Sequence, residues 1–126
     1  IRLADSPQTV YEMVKLKISH YAKEHFFILS FDSRNQLLGI DTISVGTLNA
    51  SLVHPREVFE AAIRRHAASI ILAHNHPSGD REPSQEDMEI TQRLVRDGKI
   101  IGIKVVDHLI ITKTNFLSFL EKKLII

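Results

Sequence analysis

The sequence predicts an α/β fold, with a single mixed β-sheet flanked by helices. Three observations carry this reading. Short apolar runs bounded by turn residues recur as strands, at His25 to Phe31, Ser69 to Ala73 and Leu109 to Thr112. Between them lie stretches with apolar residues at helical spacing, introduced by proline or serine. Finally, 126 residues with 44% apolar content suffice for one buried core and are short for two domains. No internal repeat or low-complexity linker interrupts the pattern.

In chain order, Pro7 to Lys23 sets Val10, Val14, Ile18 and Tyr21 at helical spacing, with Ser6 as the cap before Pro7, and predicts an opening helix. His25 to Phe31 reads as a strand. Asp32-Ser33-Arg34-Asn35 is a turn, and Gln36 to Val45 is the antiparallel partner. His54-Pro55 introduces a helix to about His66. The run Ser69-Ile70-Ile71-Leu72-Ala73 follows as a buried strand ending in His74. A helix beginning near Ser84 extends through Arg96 and is expected to stop at Asp97-Gly98. Ile100 to Val106 and Leu109 to Thr112 read as two further strands on either side of Asp107-His108, and Phe116 to Leu120 as a short amphipathic tail.

Composition narrows the function classes. The chain has no cysteine, which excludes disulfides, thiolate nucleophiles and cysteine-based zinc sites together. It shows neither a signal peptide nor an apolar run of bilayer-spanning length, so the expected compartment is cytoplasmic, without a membrane partner. Sixteen basic against fifteen acidic residues leave a formal charge of +1. That lacks the basic excess by which a domain grips phosphates through counterion release, so any DNA contact is expected to belong to a segment ahead of this one.

The chemistry concentrates in His74-Asn75-His76-Pro77-Ser78-Gly79-Asp80-Arg81-Glu82-Pro83-Ser84-Gln85-Glu86-Asp87. The strand period of two puts His74 and His76 on one side where the strand ends. Proline and glycine then break the chain, and the first turn of the next helix carries Asp87 back toward the two imidazoles. Two histidines and a carboxylate closing on one point, with a fourth position left for water, is the ligand pattern of a catalytic zinc site rather than a structural one. Ser84-x-x-Asp87 also fits a helix capping box, a role compatible with metal ligation. His20, His25, His54 and His66 have no partner at ligand spacing and read as helix-surface or capping residues. The letters His-Asn-His are not by themselves the signature of the similarly named nucleases.

His74-x-His76, seven residues, then Ser84-x-x-Asp87 resembles the signature of the JAB/MPN metalloprotease superfamily, and the wording His-Asn-His-Pro-Ser-Gly resembles its RadC branch. Glu24-His25-Phe26-Phe27, Phe31-Asp32-Ser33-Arg34-Asn35, Val53-His54-Pro55-Arg56-Glu57-Val58-Phe59, Asp107-His108 and Ser118-Phe119 look like RadC-family blocks in family order, so the resemblance covers nearly the whole chain. It implies a cytidine-deaminase-like sheet, a Zn2+ cofactor held by His74, His76 and Asp87, and hydrolysis of peptide or isopeptide bonds. It further implies Glu24 as the proton-transfer group and Ser84 as donor to the oxyanion. Glu57, Glu60, Glu82 and Glu86 are rivals to Glu24 by distance along the chain. For His108 the resemblance adds a role supporting the metal to the ordinary reading as a core or turn residue.

Two features depart from the family pattern. Nothing in Ile1 to Gln8 resembles the helix-hairpin-helix that commonly precedes this domain, and the chain begins with isoleucine, so the expectation is an excised C-terminal domain. Lys123 stands where the family tends to have glycine, which bears on how the fold ends. Two alternatives of other classes are a weakly catalytic or non-catalytic module of a DNA-repair or recombination protein, and a nucleobase deaminase. The deaminase ranks last because the paired cysteines and His-x-Glu signature of that chemistry are absent. The protein or peptide substrate is not legible, and exposed strand edges leave room for a homodimer.

Overall fold

The Ser6 hydroxyl accepts from the Thr9 amide and starts α1 (Pro7–Lys15) in the computed structural model, which describes residues 6–18, 21–46 and 53–125. The elements that follow are β1 (Glu24–Phe31), β2 (Leu37–Gly46), α2 (Pro55–Arg64), β3 (Ser69–Asn75), α3 (Gln85–Ile101), β4 (Lys104–Ile111) and β5 (Phe116–Ser118). They form one five-stranded sheet in the order β2-β1-β3-β4-β5. Strand β1 pairs antiparallel with both β2 and β3, β4 lies parallel to β3, and β5 returns antiparallel on β4. The parallel β3–β4 pair needs a crossover, and α3 supplies it.

Strand periodicity sorts the core into two layers. Phe27, Leu29, Phe31, Ile71, Ala73, Leu109 and Ile111 pack against Val10, Tyr11 and Val14 of α1. Phe26, Ile28, Ile70, Leu72 and Val105 pack against Val58, Phe59 and Ala62 of α2 and Leu94 of α3. Each fully buried Val, Leu, Ile or Phe among them contributes about 1.5–3 kcal/mol. The same alternation continues through the end of β3: His74 shares the α3 side with Leu72, and Asn75 shares the α1 side with Ala73.

The structure revises several sequence expectations. Helix α1 ends at Lys15, not near Lys23. The carbonyls of Tyr21 and Lys23 instead accept from the Asn75 carboxamide, so a tertiary contact captures this segment. His20 lies outside the described residues, as does Ile1 to Asp5. Helix α3 runs through Asp97-Gly98 to Ile101 and stops at Gly102, whose φ of 90° is the left-handed terminus expected one turn earlier. Gly98 serves close packing, since a Cβ there would lie 2.3 Å from the Ile103 carbonyl oxygen.

Strand β4 is continuous where two strands were expected. A bulge at Val106, between the pairs Ile70↔Val105 and Ile71↔Asp107, lets Asp107 and His108 sit buried within it. The Asp107 carboxylate accepts from the Ser118 hydroxyl at 2.6 Å, the Leu120 amide at 2.9 Å and the His108 amide at 2.7 Å, and so ties β4 to the C-terminal segment. Part of the expected tail, Phe116–Ser118, is strand β5. Lys123 adopts φ 59°, the backbone region that favours glycine, yet the chain still closes over the core through Leu124 N–H to Phe119 O and buried Ile125.

Candidate metal centre

Each side chain of the site is delivered by the end of an element. Glu24 opens β1, His74 and Asn75 close β3, His76 follows immediately, and Asp87 lies in the first turn of α3. The His76 amide donates to the Ile111 carbonyl, which holds the chain beside β4 one residue beyond β3. The turn after it is fixed by the Gly79 amide donating to the His76 carbonyl, with Gly79 at φ 86°. Ser84 then caps α3: its hydroxyl oxygen accepts from Asp87 N–H at 3.0 Å, and Asp87 Oδ2 accepts from Ser84 N–H at 2.8 Å.

The capping box therefore aims Asp87 at the imidazoles. His74 Nε2 lies 3.0 Å from Asp87 Oδ1, His76 Nε2 lies 2.9 Å from Asp87 Oδ2, and the two Nε2 atoms are 3.0 Å apart. These separations are slightly inside the edge of about 3.3 Å that follows for a tetrahedron with bonds of about 2.0–2.1 Å. Glu24 Oε1 stands 3.6 Å from His74 Nε2, and one ligating atom from each of Glu24, His74, His76 and Asp87 falls within 4.8 Å of the others. The four are a group that could hold a metal ion.

The donor chemistry fits a cation. His76 Nδ1 is 2.7 Å from the Asp80 carbonyl oxygen, an atom that can only accept, so the ring's proton sits on Nδ1 and Nε2 presents its lone pair to the site. A carboxylate and the lone pair of a neutral ring at 2.9 Å draw a positive charge between them, a role that either a proton on Nε2 or a metal ion can fill. Burial alone pushes the Asp87 carboxyl up, but the two imidazoles and the Ser84 amide outweigh it and hold the group far below the usual carboxylate range. Burial also pulls His76 down, and its hydrogen bonds to Asp87 and the Asp80 carbonyl bring it to a net value above that of a free imidazole. Glu24 is pushed up by burial, against the lowering influence of His74 and His76. A carboxyl raised in this way is better matched to taking up a proton.

Glu24, His76, Ser84 and Asp87 line an open cleft of about 420 Å³ together with Pro77, Ser78, Asp80, Glu82, Pro83 and Glu86. Of the rival glutamates, Glu82 and Glu86 lie on the cleft rim and are exposed, whereas Glu57 and Glu60 are exposed on α2. Of the other histidines, His54 occupies the N-cap of α2 without a side-chain cap bond, and His66 is exposed just past α2. His25 is buried on β1, which corrects the surface reading: its ring stacks on Phe27 at 5.8 Å and its Nδ1 lies 3.0 Å from the Lys23 carbonyl.

Three residues at the site escaped sequence reasoning or were left open by it. Asn75, between the two histidines, is fully buried; its Oδ1 accepts from His25 N–H at 2.7 Å and its Nδ2 donates to Lys23 O at 2.9 Å, clamping the backbone on both sides of Glu24. Thr91, one helical turn after Asp87, donates from Oγ1 to the Asp87 carbonyl at 2.6 Å. His108 is completely buried, with Nε2 2.8 Å from His74 Nδ1, and burial holds its basicity well below that of a free imidazole. The i, i+4 spacing of Asp87 and Thr91 was the one available signal for Thr91, while that for Asn75 lay in the strand period.

Comparison with known proteins agrees with this architecture. The family model described as a RadC-like JAB domain matches residues 4–124. The chain is 49% identical over 120 residues to a UPF0758 protein of Symbiobacterium thermophilum, covering 95% of this chain and 51% of that protein. It is 52% identical over 117 residues to one of Caldanaerobacter subterraneus, covering 93% and 50%, and 52% identical over 120 residues to one of Moorella thermoacetica, covering 95% and 52%. The chain thus spans about half the length of the curated relatives it matches. With its mixed five-stranded sheet, its flanking helices and a match over nearly its full length, the chain belongs to the RadC-like JAB domain family.

Proposed function

We propose that this domain is a zinc-dependent hydrolase that cleaves peptide or isopeptide bonds with an activated water. The observation that carries the reading is the convergence of His74 Nε2, His76 Nε2 and the Asp87 carboxylate at 2.9–3.0 Å from one another, beside Glu24 and Ser84 on one open cleft. These three residues would hold the metal, and nitrogen and oxygen donors without cysteine suit zinc. A zinc ion bound there supplies Lewis-acid polarisation and a water made acidic near neutrality.

The chain's own residues handle the remaining steps. Glu24 takes the proton of the attacking water as its oxygen adds to the carbonyl carbon, and returns that proton to the nitrogen as the C–N bond breaks. The Ser84 oxygen already accepts from Asp87 N–H, which leaves its hydrogen to donate to the oxyanion that develops on the carbonyl. The carboxylates of Asp80, Glu82 and Glu86 on the same cleft disfavour a phosphodiester backbone. A DNA-repair module is therefore the weaker alternative for this site.

The test is elemental analysis of the zinc-loaded chain together with a peptide-library cleavage screen. One zinc per chain is expected, lost when His74 and His76 are both replaced by alanine. Glu24→Gln should keep the zinc and lower turnover by about 10²- to 10⁴-fold. Zinc uptake unchanged by the double histidine replacement overturns the ligand assignment; unchanged turnover in Glu24→Gln moves the proton-transfer role elsewhere.

A further inference from the structure

Beneath the cleft, a second layer of polar side chains connects one candidate ligand to another. His74 Nδ1 lies 2.8 Å from His108 Nε2, His108 Nδ1 lies 2.6 Å from Thr91 Oγ1, and Thr91 Oγ1 lies 2.6 Å from the Asp87 carbonyl oxygen. All three side chains are buried, His74 and Thr91 at 2% exposure and His108 at 0%. We propose that His108 and Thr91 act as a positioning relay that fixes the tautomer and ring orientation of His74 and locks it to the helix turn carrying Asp87. The proposal rests on the zinc reading above.

The direction of the chain follows from one atom. The Asp87 carbonyl can only accept, so the single hydrogen of the Thr91 hydroxyl points at it. Thr91 Oγ1 is then an acceptor toward His108, which places the His108 proton on Nδ1 and leaves a lone pair on Nε2. That lone pair requires His74 to carry its proton on Nδ1. His74 Nε2 is thereby left with its lone pair facing Asp87 and His76, as a metal ligand needs. No other assignment of protons in neutral rings satisfies all three contacts.

Packing makes the relay stiff. The His108 ring is stacked on Phe119 at 4.7 Å and meets the edge of Phe26 at 5.8 Å, while Phe26 also stacks on His74 at 5.8 Å. The bulge at Val106 makes this placement available, because without it residue 108 would face the α1 side of the sheet. The relay also joins two elements, since β4 supplies His108 and α3 supplies Thr91.

Threonine and valine are nearly isosteric, so Thr91→Val removes the hydroxyl and little volume, whereas Thr91→Ser keeps the hydroxyl. Zinc affinity of the chain is measured by competition with a chelator at fixed pH, with thermal unfolding of each metal-free variant alongside. Thr91→Val should bind zinc about 10- to 100-fold more weakly, and Thr91→Ser should stay close to the parent. Nitrogen-15 NMR of the histidine rings reports tautomers independently: the parent should show His108 protonated on Nδ1, and Thr91→Val should lose that state. Equal zinc affinity in Thr91→Val and parent, equal losses in the valine and serine variants, or a His108 proton on Nε2 in the parent would each overturn the relay. A parent that takes up no zinc would refute the metal reading instead, and the tautomer measurement would then decide the relay alone.

Discussion

Replacing Asn75 with alanine deletes a clamp whose cost can be worked from its contacts. The β1–β3 ladder starts at the pair Phe26↔His74, so the His25 amide lies one residue beyond it and has the Asn75 Oδ1 as its acceptor at 2.7 Å. The Lys23 carbonyl accepts from Asn75 Nδ2 at 2.9 Å, and the Tyr21 carbonyl lies at 3.4 Å from the same nitrogen. Alanine leaves the buried His25 amide without a partner, at about 1–3 kcal/mol, whereas the Lys23 carbonyl keeps the His25 Nδ1 at 3.0 Å. The expected loss is therefore about 1–3 kcal/mol, a sizeable part of the stability of a domain this size. Glu24, the proposed proton-transfer group, is held from both sides by this clamp, and misplacing such a group by an ångström costs on the order of 10²-fold in rate. The assay is thermal and urea unfolding, zinc stoichiometry, and turnover of a cleavable peptide at a temperature where the variant is folded. On the proposed function, stability and turnover should both fall while zinc stays bound, because the side chains of His74, His76 and Asp87 are untouched. A variant as stable as the parent would refute the clamp, and a stable fold with lost zinc would show that Asn75 serves the ligands rather than Glu24.

Ser84→Ala should cost about 1 kcal/mol of stability through loss of the cap, whereas Ser84→Gly costs only a few tenths; both should lose about 10²- to 10³-fold in turnover if the hydroxyl donates to the oxyanion. Retained turnover in the glycine variant would reduce Ser84 to a cap. Asp107 is raised by burial, against the hydrogen bonds from Ser118, Leu120 and His108. Its folded-state value lies above the unfolded one, so its stabilising contribution is full below about pH 4 and is lost as pH rises through the raised value. Asp107→Asn should flatten that fall in an unfolding series across acidic pH, and an unchanged slope would show that another group sets it. Lys123→Gly relieves a left-handed conformation worth about 1–2 kcal/mol to an L-residue, offset by about 0.5–1 kcal/mol of glycine's greater freedom when unfolded. A small rise in melting temperature is expected, and a fall would mean that Lys123 makes a compensating contact.

The sequence by itself determined the α/β class, most element positions and the convergence of His74, His76 and Asp87, because these follow from local rules. Strand alternation places two histidines on one side, a proline and glycine turn reverses the chain, and a capping box sets the first turn of α3. Glu24 was reachable only through family resemblance, since it lies 50 residues before His74 and nothing local selects it over Glu57 or Glu86. Tertiary structure decided what depends on contacts distant in sequence. It shortened α1, because Asn75 captures the carbonyls of Tyr21 and Lys23. It carried α3 past Gly98, because a residue without a side chain lets the Ile103 carbonyl approach closely. It merged two expected strands into β4, because a bulge and the hydrogen bonds of Asp107 pay for burying an Asp-His pair that looks like a turn in the sequence. The layer under the site, His108 against His74 and Thr91 against Asp87, rests on side chains brought together by the β3–α3–β4 crossover, an encounter that local periodicity does not encode.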